Sequence, residues 1–351
     1  RDYKVTGVQT CALPILGRGF SHYDDFYEEQ LAVSTAETLR CSSLGRLMVR
    51  LLNDPFGVDR RRKDAFQVNR AFLAWLDKQQ GRPFFGFINY FDAHTPYILP
   101  PGAEHRFGRP ARTAEEVATI QGWDNRSRTS VTDAELTLTR DAYDDGVAFL
   151  DAQIGKLFDD LEQRGVLDDT VVILTSDHGE NHGEHGLIGH GRSLYDQEVR
   201  VPLLMFLPGG AHAGEVVADP VSLRDVPATV VDLLKLKGGS AFPGSSLARC
   251  WEGLDAAGAD EIPVLTEVLL RDQISKNRNR PPAWRGPMYS VVAEDQTYIR
   301  NADGQEELYD LRNDPAQLFD RAASVDADAE VVLQRMRDRL KTLAPHVEPG
   351  G

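Results

Sequence analysis

The stretch Thr170-Val171-Val172-Ile173-Leu174-Thr175-Ser176-Asp177-His178-Gly179-Glu180-Asn181-His182-Gly183-Glu184-His185-Gly186-Leu187-Ile188-Gly189-His190-Gly191 passes abruptly from an apolar run to acids, histidines and glycines. Thr170 to Thr175 has the β-branched texture of a buried strand. Four of the nine histidines then fall within the thirteen positions from His178 to His190, too dense for an ordinary solvated loop. In open α/β sheets, ligands bind beyond the carboxyl ends of strands. Asp177 and His178 stand at such an end and offer a carboxylate oxygen and an imidazole nitrogen to a metal. The glycines at 179, 183, 186, 189 and 191 let the loop turn sharply around a small ligand. His190 is a further site candidate; His182 and His185 suit loop structure or support of the ligands.

The flanks supply the rest of an α/β pattern. Upstream, Tyr143, Val147, Leu150, Ile154, Leu157 and Leu161 repeat at steps of four and three, a long helix with Gly165 as its stop. Ala65 to Gln80 reads as an amphipathic helix ended by Gly81. Phe84 to Tyr90 reads as a buried strand leading into the polar loop Asp92-Ala93-His94-Thr95-Pro96-Tyr97, and Pro100 to Thr132 as loops with one short helix. Downstream, Val201 to Leu207 is the next strand and Leu223 to Leu236 the next helix. Continuous apolar strands alternating with helices predict a mostly parallel central sheet flanked by helices. After about Gly239 the texture changes to short strands near 264–269, 289–292 and 298–301 and a helix over 329–343. A small α+β subdomain is expected there, giving segments 16–238 and 239–351.

The bulk properties bound the function. The chain has 351 residues, 26% of them charged, and a formal net charge of -15. That field excludes nucleic-acid binding through overall charge. No apolar run is long enough for a membrane span. Cys11, Cys41 and Cys250 are too scattered for a disulfide framework or a zinc cluster. Nothing sets an oligomeric state.

Several motifs together resemble the sulfatase family of the alkaline phosphatase superfamily. Ser176-Asp177-His178-Gly179-Glu180, Gly183-Glu184-His185-Gly186, Gly189-His190-Gly191, Leu194-Tyr195 and Arg200-Val201-Pro202 resemble its second signature region. His94-Thr95-Pro96-Tyr97 looks like its His-x-Pro-Tyr segment. Tyr143 with Asp151 and Gly155 looks like the helix before its metal-binding strand. Glu307-Leu308-Tyr309-Asp310-Leu311 with Asp314-Pro315 looks like its C-terminal element. The resemblance runs from about Leu16 to about Leu318. It implies an alkaline phosphatase-like fold and metal-dependent hydrolysis of a small-molecule or saccharide sulfate ester. Asp177 and His178 would be metal ligands, while His94 and His190 would be catalytic and contact the substrate. Calcium would be the metal, and the setting periplasmic or extracellular.

His190 stands where many sulfatases have lysine and where phosphoethanolamine transferases have histidine. A phosphoryl-transfer or phosphodiesterase-like enzyme using Mn2+ or Zn2+ is therefore the alternative, and a non-catalytic binding protein on the same fold is a third. The family's nucleophile arises from Cys or Ser in Cys/Ser-x-Pro-x-Arg, and no such motif occurs. Cys11-Ala12-Leu13-Pro14 has its proline one position late, and Cys41 to Arg46 lacks one. Val5 to Ile15 resembles translated sequencing adapter, so residues 1–15 read as a non-native leader, and the nucleophile-bearing part is expected to be missing. Ser176, next to the site, alternates away from Asp177 along a strand.

Overall fold

The computed structural model describes residues 22, 62–123, 126, 130–251, 262–269, 280–324 and 327–347. The suspected leader and Cys41 lie outside the described residues. The chain divides into two compact units, Arg1–Trp123 with Thr132–Leu161, and Asp124–Val131 with Glu162–Gly351. These units cut the chain elsewhere than the change of texture near 239.

In the first unit, helix α1 (Ala65–Leu76) starts in a capping box. Asp64 accepts from the Gln67 N–H at 2.8 Å, and the Gln67 side chain accepts from the Asp64 N–H at 3.1 Å. Phe72 and Trp75 pack edge-on against Phe84. Phe84 to Tyr90 forms no ladder among the described residues, and Phe85 and Phe87 are exposed, so the expected buried strand is not seen there. Among the described residues no neighbouring strand pairs with its backbone, so no ladder forms there. The short helix in the 100–132 stretch is α2 (Ala114–Gln121).

The long helix is α3 (Asp133–Gln163). Leu157 and Leu161 are buried as its period predicts, whereas Val147 is exposed. Polar contacts dock the middle of this helix. Buried Asp145 accepts from His105 Nδ1 at 2.8 Å and from the N–H groups of Arg106 and Phe107. Asn69 donates to the Gln153 carbonyl at 2.8 Å. At Gly146 a Cβ would stand 2.8 Å from the Asp92 carbonyl oxygen, so only glycine lets the helix approach the loop that carries His94.

In the second unit, β1 (Val172–Thr175) pairs antiparallel with β4 (Leu203–Phe206), and a short hairpin of β2 (Asn181–His182) and β3 (Ile188–Gly189) lies between them in sequence. Apolar continuity predicts parallel pairing, but every ladder among the described residues is antiparallel. Parallel neighbours need a crossover of a dozen or more residues, usually a helix. The only α-helix between β1 and β4 is the four-residue α4 (Asp196–Val199), and the chain returns beside β1 in the opposite sense. The α/β class itself holds. Helix α5 (Asp225–Leu233) follows β4.

The C-terminal texture resolves into an antiparallel sheet ordered β5 (Val264–Val268), β6 (Met288–Ala293), β7 (Gln296–Arg300) and β8 (Glu306–Asp310), with helix α6 (Ala327–Leu343). Alternation along the strands sorts its two faces. Tyr289, Val291, Tyr298 and Leu308 pack with Leu333, Met336 and Leu340 of α6. Met288, Ile299 and Tyr309 pack instead with Leu194, Tyr195 and Val199 from the segment after β3. The C-terminal sheet is thus the floor on which that segment rests.

Candidate active site

Directly after β1, the chain bends at Ser176, whose hydroxyl donates to the His178 carbonyl at 2.7 Å. That bond closes the turn and places Asp177 outward, its side chain 76% exposed. The His178 Nδ1–H donates to the Gly179 carbonyl at 2.9 Å, which leaves the lone pair on Nε2. Nε2 lies 3.9 Å from Asp177 Oδ1. Metal–ligand bonds of about 2.0–2.5 Å let one divalent cation reach two donors so spaced. The pair offers one nitrogen and one carboxylate and leaves most positions of a six- to eight-coordinate ion to other ligands.

The hairpin returns the chain so that His190, directly after β3, stacks on His178 with ring centroids 4.2 Å apart. His190 Nδ1 lies 3.1 Å from a Glu180 carboxylate oxygen. That carboxylate is 6% exposed and fixes the ring so that Nε2 is the nitrogen turned to chemistry. A second buried acid holds the base of the hairpin. Glu198, on α4, accepts from Asn181 Nδ2 at 2.6 Å, Ser193 Oγ at 2.8 Å and the Arg192 N–H at 2.9 Å. Three donors on one carboxylate make it a rigid node.

His182 is buried on β2, and its N–H donates to Glu184 at 2.6 Å. His185, at the hairpin tip with φ +51°, stacks on Tyr195 with centroids 3.7 Å apart. In the first unit, the His94 Nδ1–H donates to the Thr95 carbonyl at 2.6 Å, and Arg62 clamps the segment by donating to the His94 and Pro96 carbonyls. All three histidines picked from sequence therefore have Nδ1 engaged by a local acceptor. In the sequence Glu180 stands only as part of the Ser176–Glu180 motif, with no role given, and Glu198 is not singled out. The cross-hairpin pairing of Asn181 with Gly189 and His182 with Ile188 is the signal that brings Glu180 to His190.

The family model described as Sulfatase matches residues 10–236. This chain belongs to the sulfatase family. Arylsulfatase K of Bos taurus is 26% identical over 84% of this chain and 58% of its own length. The choline-sulfatase of Rhizobium meliloti is 29% identical over 70% of this chain and 48% of its own. The chain thus spans about half the length of these curated relatives. Among solved structures, the phosphonate monoester hydrolase of Agrobacterium radiobacter superposes with a TM-score of 0.63, at 26% identity, over 81% of this chain and 62% of that one. The α/β, alkaline phosphatase-like fold class follows from this likeness. The Asp-His donor pair suits the divalent metal that sulfatases use, and no described helix is long and apolar enough to cross a membrane.

Proposed function

We propose that this sulfatase-family chain serves the hydrolysis of sulfate esters of small molecules or saccharides. The observation that carries the reading is the stacked His178–His190 pair beside Asp177, each ring locked through Nδ1. Asp177 Oδ1 and His178 Nε2 are suited to hold a divalent cation, Ca2+ on the sulfatase reading. Such a cation, when bound, neutralises charge on the sulfate group. His190 Nε2, with Glu180 behind Nδ1, is suited to hold the ester oxygen and to give a proton to the leaving alcohol. His94 is assigned to the non-bridging oxygens, where a donor strengthens as charge develops. A periplasmic or extracellular setting belongs to the same reading.

The likeness to a phosphonate monoester hydrolase, together with histidine rather than lysine at 190, favours a second reading in which phosphorus esters are cleaved. One experiment separates the two. The protein, expressed in a host that can convert the family's Cys or Ser to its nucleophile, is assayed on matched aryl sulfate, phosphate and phosphonate esters with Ca2+, Mn2+ or Zn2+. We expect kcat/KM to be highest for the sulfate with Ca2+ and to fall more than about 100-fold in Asp177→Ala. A preference for the phosphonate with Mn2+ or Zn2+ would establish the second reading. Turnover indifferent to Asp177 would remove both.

A further inference from the structure

Strand β8 places two neighbouring carboxylates on opposite faces of the C-terminal sheet. Glu306 faces α6, where Arg337 donates to it at 2.6 Å and Tyr298 at 2.5 Å. Glu307 faces the other way, toward the segment that follows the histidine hairpin. One of its oxygens accepts from the Tyr195 hydroxyl at 2.8 Å and the Tyr309 hydroxyl at 2.6 Å; the other accepts from Asn301 Nδ2 at 2.6 Å. Tyr195 lies 112 residues from Glu307 in sequence, so this contact is made only by the fold. On its ring face, Tyr195 carries His185, the hairpin tip. Next to it, Asp196 and Gln317 exchange two hydrogen bonds of 2.9 Å, with Gln317 fully buried.

We propose that Glu307 is a positioning residue for the His178–His190 pair, acting through Tyr195 and the hairpin tip. The proposal rests on the reading above that this pair handles the cation and the anion. The hairpin is only two residues per strand, and a ladder so short does not hold its own geometry. It is clamped instead at both ends, by Glu198 at its base and by the Tyr195–Glu307 contact at its tip. Burial and the adjacent Glu307 push the Tyr195 and Tyr309 phenols well above the ordinary tyrosine range, so both remain donors to the carboxylate. With the tip released, β3 and His190 after it lose the restraint that keeps the two imidazoles stacked.

The opposite-face carboxylate supplies the control. The chain and its Glu307→Gln, Tyr195→Phe and Glu306→Gln variants are compared by thermal unfolding, by the imidazole 15N–1H NMR signals of His178 and His190, and by Mn2+ titration. Glu306→Gln is expected to lower the melting temperature and leave both imidazole signals and the Mn2+ affinity unchanged. Glu307→Gln and Tyr195→Phe are expected to melt cooperatively, to shift the His190 signals, and to weaken Mn2+ binding about 10-fold. Unchanged imidazole signals in both tip variants, or equal shifts in Glu306→Gln, would overturn the proposal. If Glu307→Gln does not fold, Tyr195→Phe decides alone, because it removes one hydroxyl and keeps the ring on His185. Absence of Mn2+ binding by the unsubstituted chain counts against the cation reading only, and the imidazole signals still decide the positioning role.

Discussion

Gly179 shows how tightly single atoms define the site. A Cβ there would stand 2.1 Å from the Gln197 carbonyl oxygen, and the Gly179 N–H donates to the Glu198 carbonyl at 2.7 Å. The residue after His178 is thus pressed against the helix that carries Glu198. Gly179→Ala forces backbone apart from backbone, which no rotamer change relieves, and is expected to cost about 1–3 kcal/mol. Gly186, with φ +69° and open space around its Cα, is the contrast. Gly186→Ala meets only the left-handed penalty of about 1–2 kcal/mol. Urea midpoints measure both costs, and loss of the His178–His190 ring contact by NMR should follow the first substitution and not the second. Asp177 and His178 stood out as candidate ligands because they are adjacent in sequence at a strand end. Glu180 and Glu198 did not, because an acid in a polar loop looks the same whether it is solvated or accepts three buried donors.

At the level of elements, the hairpin and the segment behind it form a pH-sensitive piece. Burial holds the His185 imidazole below the ordinary histidine pKa, against the pull of Glu307, the Ala316 carbonyl, Glu184 and Asp314. The folded loop therefore keeps the ring neutral, while the unfolded chain takes up its proton near pH 6.5. The stability from this residue is fully present above that pH. It is lost as the pH falls from there toward the lower folded pKa. Thermal melts at pH 7.5 and 5.5 should show the decrease, and His185→Phe, which keeps an aromatic ring on Tyr195, should show less of it. Equal pH dependence in the two proteins would place the effect elsewhere. Helix α3 and strands β5 to β7 were legible from the sequence; β8 and the direction of β1 against β4 were not. Strand direction depends on what the intervening chain does in space, and an apolar run reads the same in either sense.

For the molecule as a whole, surface composition sets behaviour in solution. Phe85 and Phe87 in the first unit, and Leu204 and Phe206 in the second, are large apolar side chains more than 40% exposed. Such side chains are tolerated in solution while net charge keeps molecules apart. With a net charge of -15 and an isoelectric point near 5.1, that repulsion vanishes on mild acidification. Light scattering is expected to rise steeply as the pH approaches 5, and Phe206→Lys should reduce it, at a smaller cost in melting temperature than loss of a fully buried phenylalanine, because Phe206 is 41% exposed. Scattering independent of both pH and Phe206 would show that neither factor controls association.

Composition, strand and helix periods, and the Asp-His-Gly loop by themselves pointed to the α/β class and the family, and singled out Asp177, His178, His94 and His190 as candidate site residues. These features are local: period, adjacency and turn chemistry are written in neighbouring residues and survive without knowledge of the partners. Only the tertiary structure decided that Glu180 stands behind His190, that Glu198 knots the hairpin base, and that Glu307 reaches Tyr195 across 112 residues to face the hairpin, while Glu306 beside it faces α6. A carboxylate's role depends on which donors converge on it, and that convergence is a property of the packed chain.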